Sequence, residues 1–257
     1  MTRRIDFSRY SSIKIGPVVD VTLIDEIASG WEDYVIVGGA NNLLLSPSPP
    51  PLAMLSKTFD YIRLEGDRLV VGGATMSGRI FSFVKKHNIA GFEYLGKLPG
   101  TLGGLICMNA GMKEDEIFNQ LVSIRTARGE IPKEAIAYGY RFTDIVDVIF
   151  EATFQIQRGF DMQKLALFTR MRANQPKDPS PGSAFKNPPG DYAGRLIEAV
   201  SMKGYRVGDV AFSDLHANFL VNLGKGSFED AITLLEEAER RVYESFGVTL
   251  EREVRVV

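Results

Sequence analysis

The sequence predicts an α+β protein, and three observations carry that prediction. Strand-like and helix-like segments are mixed without the strict alternation that a doubly wound parallel sheet needs. A strand and glycine loop near residue 38 are followed by no helix, as a dinucleotide-binding Rossmann unit would require. Near Gly159 the chain changes character, from strands and glycine turns to capped helices.

Tyr34–Val37 is a short apolar strand, and Leu43–Leu45 then runs into Ser46–Pro51, the irregular exposed stretch SPSPPP. Leu69–Val71 follows Gly66-Asp67, a hairpin signal. Val122–Ala127 and Val148–Ile156 continue the β pattern. Thr75 stands where it can cap a helix carrying Ile80, Phe81 and Val84 and ending near Gly91. Beyond Gly159, Asp161 can cap a helix with Leu165, Phe168 and Met171, stopped by Pro176. Asp191 can cap another through Leu196, Ile197 and Val200 to Gly204. The clearest helix starts at Ser227, with Ile232, Leu235, Ala238, Val242 and Phe246 at helical spacing and Gly247 as terminator. Asn218–Leu223 and Arg252–Val257 read as strands.

Composition narrows the function. The chain of 257 residues is 45% hydrophobic and 24% charged, ordinary for a globular core that needs no staple. A net charge of −2 without a basic stripe argues against a nucleic-acid partner. One cysteine, Cys107, excludes an internal disulfide, and with only His87 and His216 no protein-held metal is expected. No signal peptide or membrane-length apolar run is present, so a cytoplasmic protein without a membrane partner is expected. A monomer is the expected state.

Two glycine loops stand out. Gly38-Gly39-Ala40-Asn41-Asn42 can form an anion-binding nest of successive N–H groups, and a plain structural turn accounts for it equally. Pro99-Gly100-Thr101, Gly103-Gly104 and Asn109-Ala110-Gly111 are crowded into 13 residues. Side chains this small make room for something flat and large, and one buried crossover hardly needs three such clusters.

Three polar residues follow. Ser183 lies in PKDPSPGSAFKNP, fixed between proline segments; it is not in a G-x-S-x-G elbow, so a hydrolase nucleophile is not indicated. Arg141, between Tyr140 and Phe142, is a planar fork suited to carboxylate or phosphate, or an ordinary stacked arginine. Glu253, in LEREVRVV, shares a strand face with Glu251 and Arg255, which also describes a solvated edge strand.

Taken in order, GGANNLL, LPGTLGG with MNAG, YRFT, GSAFKNP, HANFLVN and LEREV make the chain similar, nearly end to end, to the UDP-N-acetylenolpyruvoylglucosamine reductase family. Ala40-Asn41 stands where the family's first loop has Gly-Ser, and Thr143 where serine is common. No tyrosine-bearing extra segment lies between Gly159 and Pro176, so the resemblance is to the shorter, second type.

The resemblance implies a vanillyl-alcohol-oxidase-type FAD-binding domain over 1–158, built of two α/β subdomains, and a smaller α+β substrate-binding domain over 159–257. It implies FAD held by Gly38, Gly39, Ala40, Asn41, Asn42, Pro99, Gly100, Thr101, Gly103 and Gly104, with Asn109, Ala110 and Gly111 nearby. NADPH would be the hydride donor, and a nucleotide-sugar enolpyruvyl ether would be reduced to UDP-N-acetylmuramate in peptidoglycan precursor synthesis. Arg141 and Glu253 would stabilise developing charge, and Ser183 would protonate C2. Asn187, Lys186 and Arg172 would contact the uridine diphosphate. Two rivals remain at this point: another flavin oxidoreductase of the same superfamily, whose members commonly hold FAD covalently, and a nucleotide-binding module without catalysis.

Overall fold

The computed structural model describes residues 1–257. Strands and helices mingle in a mixed α/β fold, and the chain packs into two compact units, both discontinuous in sequence. One comprises Met1–Arg3, Val21–Gly39 and Pro51–Ala173. The other comprises Arg4–Asp20, Ala40–Pro50 and Asn174–Val257. The expected contiguous division at 158/159 differs from this partition. The reason is long-range pairing with N-terminal segments, which local composition does not reveal.

The chain opens with β1 (Thr2–Asp6), the single turn α1 (Phe7–Tyr10) and β2 (Val18–Ile24). Next come β3 (Val35–Ile36), β4 (Leu43–Leu44) and β5 (Leu52–Leu55). In the first unit β5 pairs in parallel with both β2 and β3. The exposed SPSPPP stretch connects β4 to β5 without regular structure.

The hairpin β6 (Ile62–Glu65) and β7 (Arg68–Gly72) turns at Gly66, φ 63°, as its Gly-Asp signal requires. The helix α2 (Ser77–Lys86) follows. Thr75 does not cap it. The side chain is fully buried and donates to Tyr61 O at 3.1 Å, and Met76 stands at the cap position without a side-chain bond. The short helix α3 (Leu102–Cys107) is followed by β8 (Gly111–Met112), β9 (Asp115–Glu116), β10 (Leu121–Thr126) and β11 (Gly129–Pro132). The hairpin β12 (Tyr138–Gly139) and β13 (Phe142–Thr143) precedes β14 (Glu151–Gln155) and the helix α4 (Met162–Met171). An antiparallel sheet of order β11-β10-β14-β7-β6 backs the unit. Its apolar face packs on α2 and α3 through Leu69, Val71, Ile80, Leu102, Ile106 and Ile124. Asp161 caps α4 as expected, accepting from the N–H groups of Gln163 and Lys164.

The second unit contains α5 (Ala193–Ala199), β15 (Arg206–Val207), β16 (Val210–Phe212), β17 (Leu220–Asn222), α6 (Phe228–Phe246) and β18 (Arg255–Val256). Strands β15, β16 and β17 form an antiparallel sheet, while β18 pairs in parallel with β4. Ser227 and Asp230 close a capping box on α6, and Gly247 ends it in the left-handed region at φ 65°. Its buried stripe is Ala231, Leu234, Leu235, Ala238 and Val242; Phe246, expected on that face, is exposed. For α5 the expected cap also shifts. Tyr192 holds the cap position, Asp191 pairs with Arg195, and Asn187 Oδ1 accepts the Ala193 N–H at 3.1 Å. No helix is long and apolar enough to cross a membrane.

Candidate functional site

The first glycine loop leaves the edge of β3 and turns without starting a helix. The N–H groups of Gly39, Ala40 and Asn41 donate to no protein acceptor. Ala40 sits at φ 48°, a conformation that favours glycine, and is buried. Asn41 Nδ2 donates to Ser12 Oγ at 2.6 Å, whereas its Oδ1 is buried without a partner. Buried acceptors are rarely left unpaired, so this atom marks a place where a donor belongs. Asn42 turns the other way: its Nδ2 donates to Glu253 O at 2.8 Å, and its carbonyl accepts from Arg255 N–H at 3.1 Å.

The second loop spends its amides differently. Leu102 N–H donates to Thr75 O and Gly103 N–H to Gly73 O, both at 2.9 Å, and Gly100 O accepts from Ser77 N–H at 2.8 Å. Thr101 is the N-cap residue of α3, yet its side chain makes no capping bond. The two loops approach each other here: a Cβ on Gly38 would overlap Thr101 Oγ1. Glycine at 38 is therefore demanded by packing, whatever else the loop binds. A Cβ on Gly103, by contrast, would make ordinary contacts with Gly73 O at 3.4 Å and Ile149 O at 3.7 Å, and one on Gly104 would meet Thr101 Oγ1 at 3.6 Å.

Arg141 occupies the tip of the β12–β13 hairpin at φ 54°, strained for a residue with a side chain. Its guanidinium donates to Gly111 O at 2.9 Å and Asn109 O at 3.4 Å, and lies 5.3 Å over the Tyr140 ring. Asn109, fully buried, is committed to the protein: Nδ2 donates to Glu116 Oε2 at 2.7 Å and Gly139 O at 3.0 Å. Thr143 Oγ1 donates to Cys107 O at 2.9 Å, so the YRFT hairpin is clasped onto the end of α3 and the MNAG segment.

In the second unit, Ser183 and Glu253 are drawn together from 70 positions apart. Ala184, next to Ser183, accepts the Glu253 N–H at 2.8 Å and the Val254 N–H at 3.3 Å. Ser183 bridges Phe219 and Phe185 bridges Arg252. Glu253 is not within a regular strand; β18 starts at Arg255. Lys186 arrives paired with Glu251, 2.6 Å from its Oε1, and Asn187 is engaged as the cap of α5. Arg172, at the end of α4 in the other unit, is half-buried with no anionic partner, and burial alone pushes its pKa down. A desolvated cation of this kind gains from an incoming anion. The structure thus joins Ser183 to Glu253, and Arg141 to Asn109–Gly111.

HANFLVN is part of the resemblance, but the sequence assigns no role to any of its residues. Asn218 lies within the apolar run of HANFLVN, and its buried side chain grips Phe185. An amide among buried hydrophobic residues must find partners, and that was the available signal.

The family model for the UDP-N-acetylenolpyruvoylglucosamine reductase C-terminal domain matches residues 175–257. A UDP-N-acetylenolpyruvoylglucosamine reductase from Helicobacter hepaticus is 49% identical, covering 100% of this chain and 99% of the relative. One from Campylobacter jejuni is 46% identical over 98% of this chain and 99% of the relative. The solved UDP-N-acetylenolpyruvylglucosamine reductase of Thermus caldophilus superposes with a TM-score of 0.86 at 27% identity, covering 100% of this chain and 98% of that one. With full-length relatives at this identity, the chain belongs to the UDP-N-acetylenolpyruvoylglucosamine reductase family.

Proposed function

We propose that this protein uses FAD to reduce the enolpyruvyl ether of UDP-N-acetylglucosamine to UDP-N-acetylmuramate at the expense of NADPH, in the cytoplasm, for peptidoglycan precursor synthesis. The observation that carries the reading is full-length similarity to reductases of that name, together with the pairing of GSAFKNP and LEREV through the Ala184 carbonyl.

The first loop fits FAD on physical grounds. Three successive N–H groups without protein acceptors suit a diphosphate, and the orphaned Asn41 Oδ1 suits a hydroxyl donor. Gly38 to Asn42 and Pro99 to Gly104 would hold the cofactor in a vanillyl-alcohol-oxidase-type domain. Asn109 to Gly111 would support the second loop rather than contact the cofactor through the Asn109 side chain, which is already spent. Bound FAD would supply hydride chemistry, passing the pair of electrons from NADPH to C3 of the substrate.

The chain's own residues complete the reaction. Hydride adds to C3 of the enolpyruvyl double bond, and the electron pair moves toward the carboxylate. Arg141, permanently charged, stabilises that anion. Ser183 gives a proton to C2, so one hydride and one proton saturate the bond and yield the lactyl ether. Glu253, whose backbone is paired next to Ser183, would act on the same developing charge. Arg172 would offer an uncompensated cation to the uridine diphosphate, and Lys186 and Asn187 would contact it too. A contiguous description of the two functional domains, 1–158 and 159–257, belongs to this reading, and the protein is proposed to act as a monomer.

Purified protein should be yellow. Acid precipitation should leave all flavin in the supernatant, and anaerobic NADPH should bleach the colour. Flavin retained in the pellet would favour a covalent flavin oxidase instead, and colourless protein that binds no added FAD would refute the reading.

A further inference from the structure

The HANFLVN segment has no place in the chemistry above, yet it is tied to it. Asn218 is 4% exposed. Its Oδ1 accepts the Phe185 N–H at 3.0 Å and its Nδ2 donates to Phe185 O at 2.8 Å. Its own carbonyl accepts the Ala184 N–H at 2.7 Å, and the next residue, Phe219, bridges Ser183. On the opposite side of the same short segment, Ala184 O accepts from Glu253 and Val254, Phe185 bridges Arg252, and Lys186 N–H donates to Glu251 O at 2.8 Å. Residues 183–186 are therefore a strip held between 218–219 and 251–254.

A strip in a sheet is normally held on each side by a neighbouring backbone. At Phe185 one of these neighbours is a side chain. Only a primary amide presents a donor and an acceptor in one plane, as a peptide group does, and glutamine would be one methylene too long. The hold on Phe185 thus rests on the identity of residue 218. Moving Phe185 moves Ser183, two residues away, and the carbonyl that fixes the Glu253 backbone.

We infer that Asn218 is a positioning residue for proton delivery, setting Ser183 and Glu253 in register by substituting for a backbone partner at Phe185. The inference rests on the proposed proton-donor role of Ser183. A proton donor must lie within hydrogen-bond reach of its target, and a displacement of about 1 Å can cost ~10²-fold in rate.

The test is a double-mutant cycle on the two half-reactions, followed anaerobically with FAD-loaded protein. Asn218→Asp keeps the acceptor and the size but turns an oxygen toward Phe185 O; Asn218→Ala removes both bonds. Reduction by NADPH should be unchanged in each. Reoxidation by the enolpyruvyl nucleotide sugar should slow by ~10²-fold, as for misplaced catalytic groups. In a Ser183→Ala background the same Asn218 substitution should slow reoxidation little further, because the group it positions is already gone. Effects that multiply would overturn the inference while leaving Ser183 as donor. Loss of both half-reactions together would overturn it as well, in favour of a general structural role. Reoxidation at the normal rate in Ser183→Ala alone would instead remove the donor reading, and the inference with it. Amide hydrogen exchange of the unsubstituted protein provides a readout that needs no variant to fold. The Phe185 and Glu253 N–H groups should be protected to a similar degree, and exchange of Phe185 as fast as an open loop would contradict the anchor.

Discussion

The two candidate cofactor loops are both rich in glycine and use it differently. Gly38–Asn42 leaves the N–H groups of residues 39–41 without protein acceptors and keeps a buried amide oxygen unpaired. In Pro99–Gly104, the Leu102 and Gly103 N–H groups are taken by the carbonyls of Thr75 and Gly73. On the proposed reading the first would receive the diphosphate and the second would lie against the cofactor. Glycine count alone does not separate these cases; the hydrogen-bond accounting does.

That comparison breaks most sharply at Gly38. A Cβ there would overlap the Thr101 hydroxyl, so Gly38→Ala should destabilise the protein even without FAD, by about 1–3 kcal/mol as overpacking does. Removing the hydroxyl with Thr101→Ala in the same chain should recover most of the loss in a thermal melt. If Gly38→Ala leaves the flavin-free protein unchanged and weakens only FAD binding, the glycine serves the ligand and the packing argument is wrong.

A smaller effect sharpens the other side. At Gly103, in a helix, a Cβ would meet Gly73 O at 3.4 Å and Ile149 O at 3.7 Å, both ordinary contacts. Gly103→Ala should therefore leave folding stability unchanged or raise it by up to about 0.5–1 kcal/mol, since alanine loses less backbone entropy. FAD affinity, read by flavin fluorescence, should nevertheless fall if the cofactor approaches this bare backbone as proposed. Unaltered affinity would show that this backbone faces no cofactor.

Much of this frame was legible from local signals. The Gly66-Asp67 hairpin, the Ser227 capping box with its Gly247 terminator, and the missing helix after the first loop all follow from short-range rules. The failures share a cause in tertiary contacts. Thr75 has the chemistry of a cap, but the Tyr61 carbonyl claims its hydroxyl. Asp191 is claimed by Arg195, and Asn187 does the capping from six residues away. Strand β18 finds its partner β4 more than 200 residues upstream. Asn222 likewise holds Ile13 O at 3.1 Å, which binds the N-terminal stretch into the unit that contains the C-terminus. The candidate site divides in the same way. Its residue types were visible in GSAFKNP, YRFT and LEREV, whereas the Ala184 carbonyl that joins two of these motifs is backbone and leaves no trace in residue identity.

The central claim is that this chain reduces an enolpyruvyl nucleotide sugar with Ser183 as proton donor. Its most direct test is anaerobic single-turnover reoxidation of NADPH-reduced, FAD-loaded protein by the enolpyruvyl ether of UDP-N-acetylglucosamine. The account predicts that the flavin colour returns with one equivalent of UDP-N-acetylmuramate formed. It also predicts that Ser183→Ala slows this return by about 10²–10⁴-fold while NADPH bleaches the flavin at the original rate. Colour that stays bleached in the unsubstituted protein, or that returns equally fast in Ser183→Ala, would contradict it.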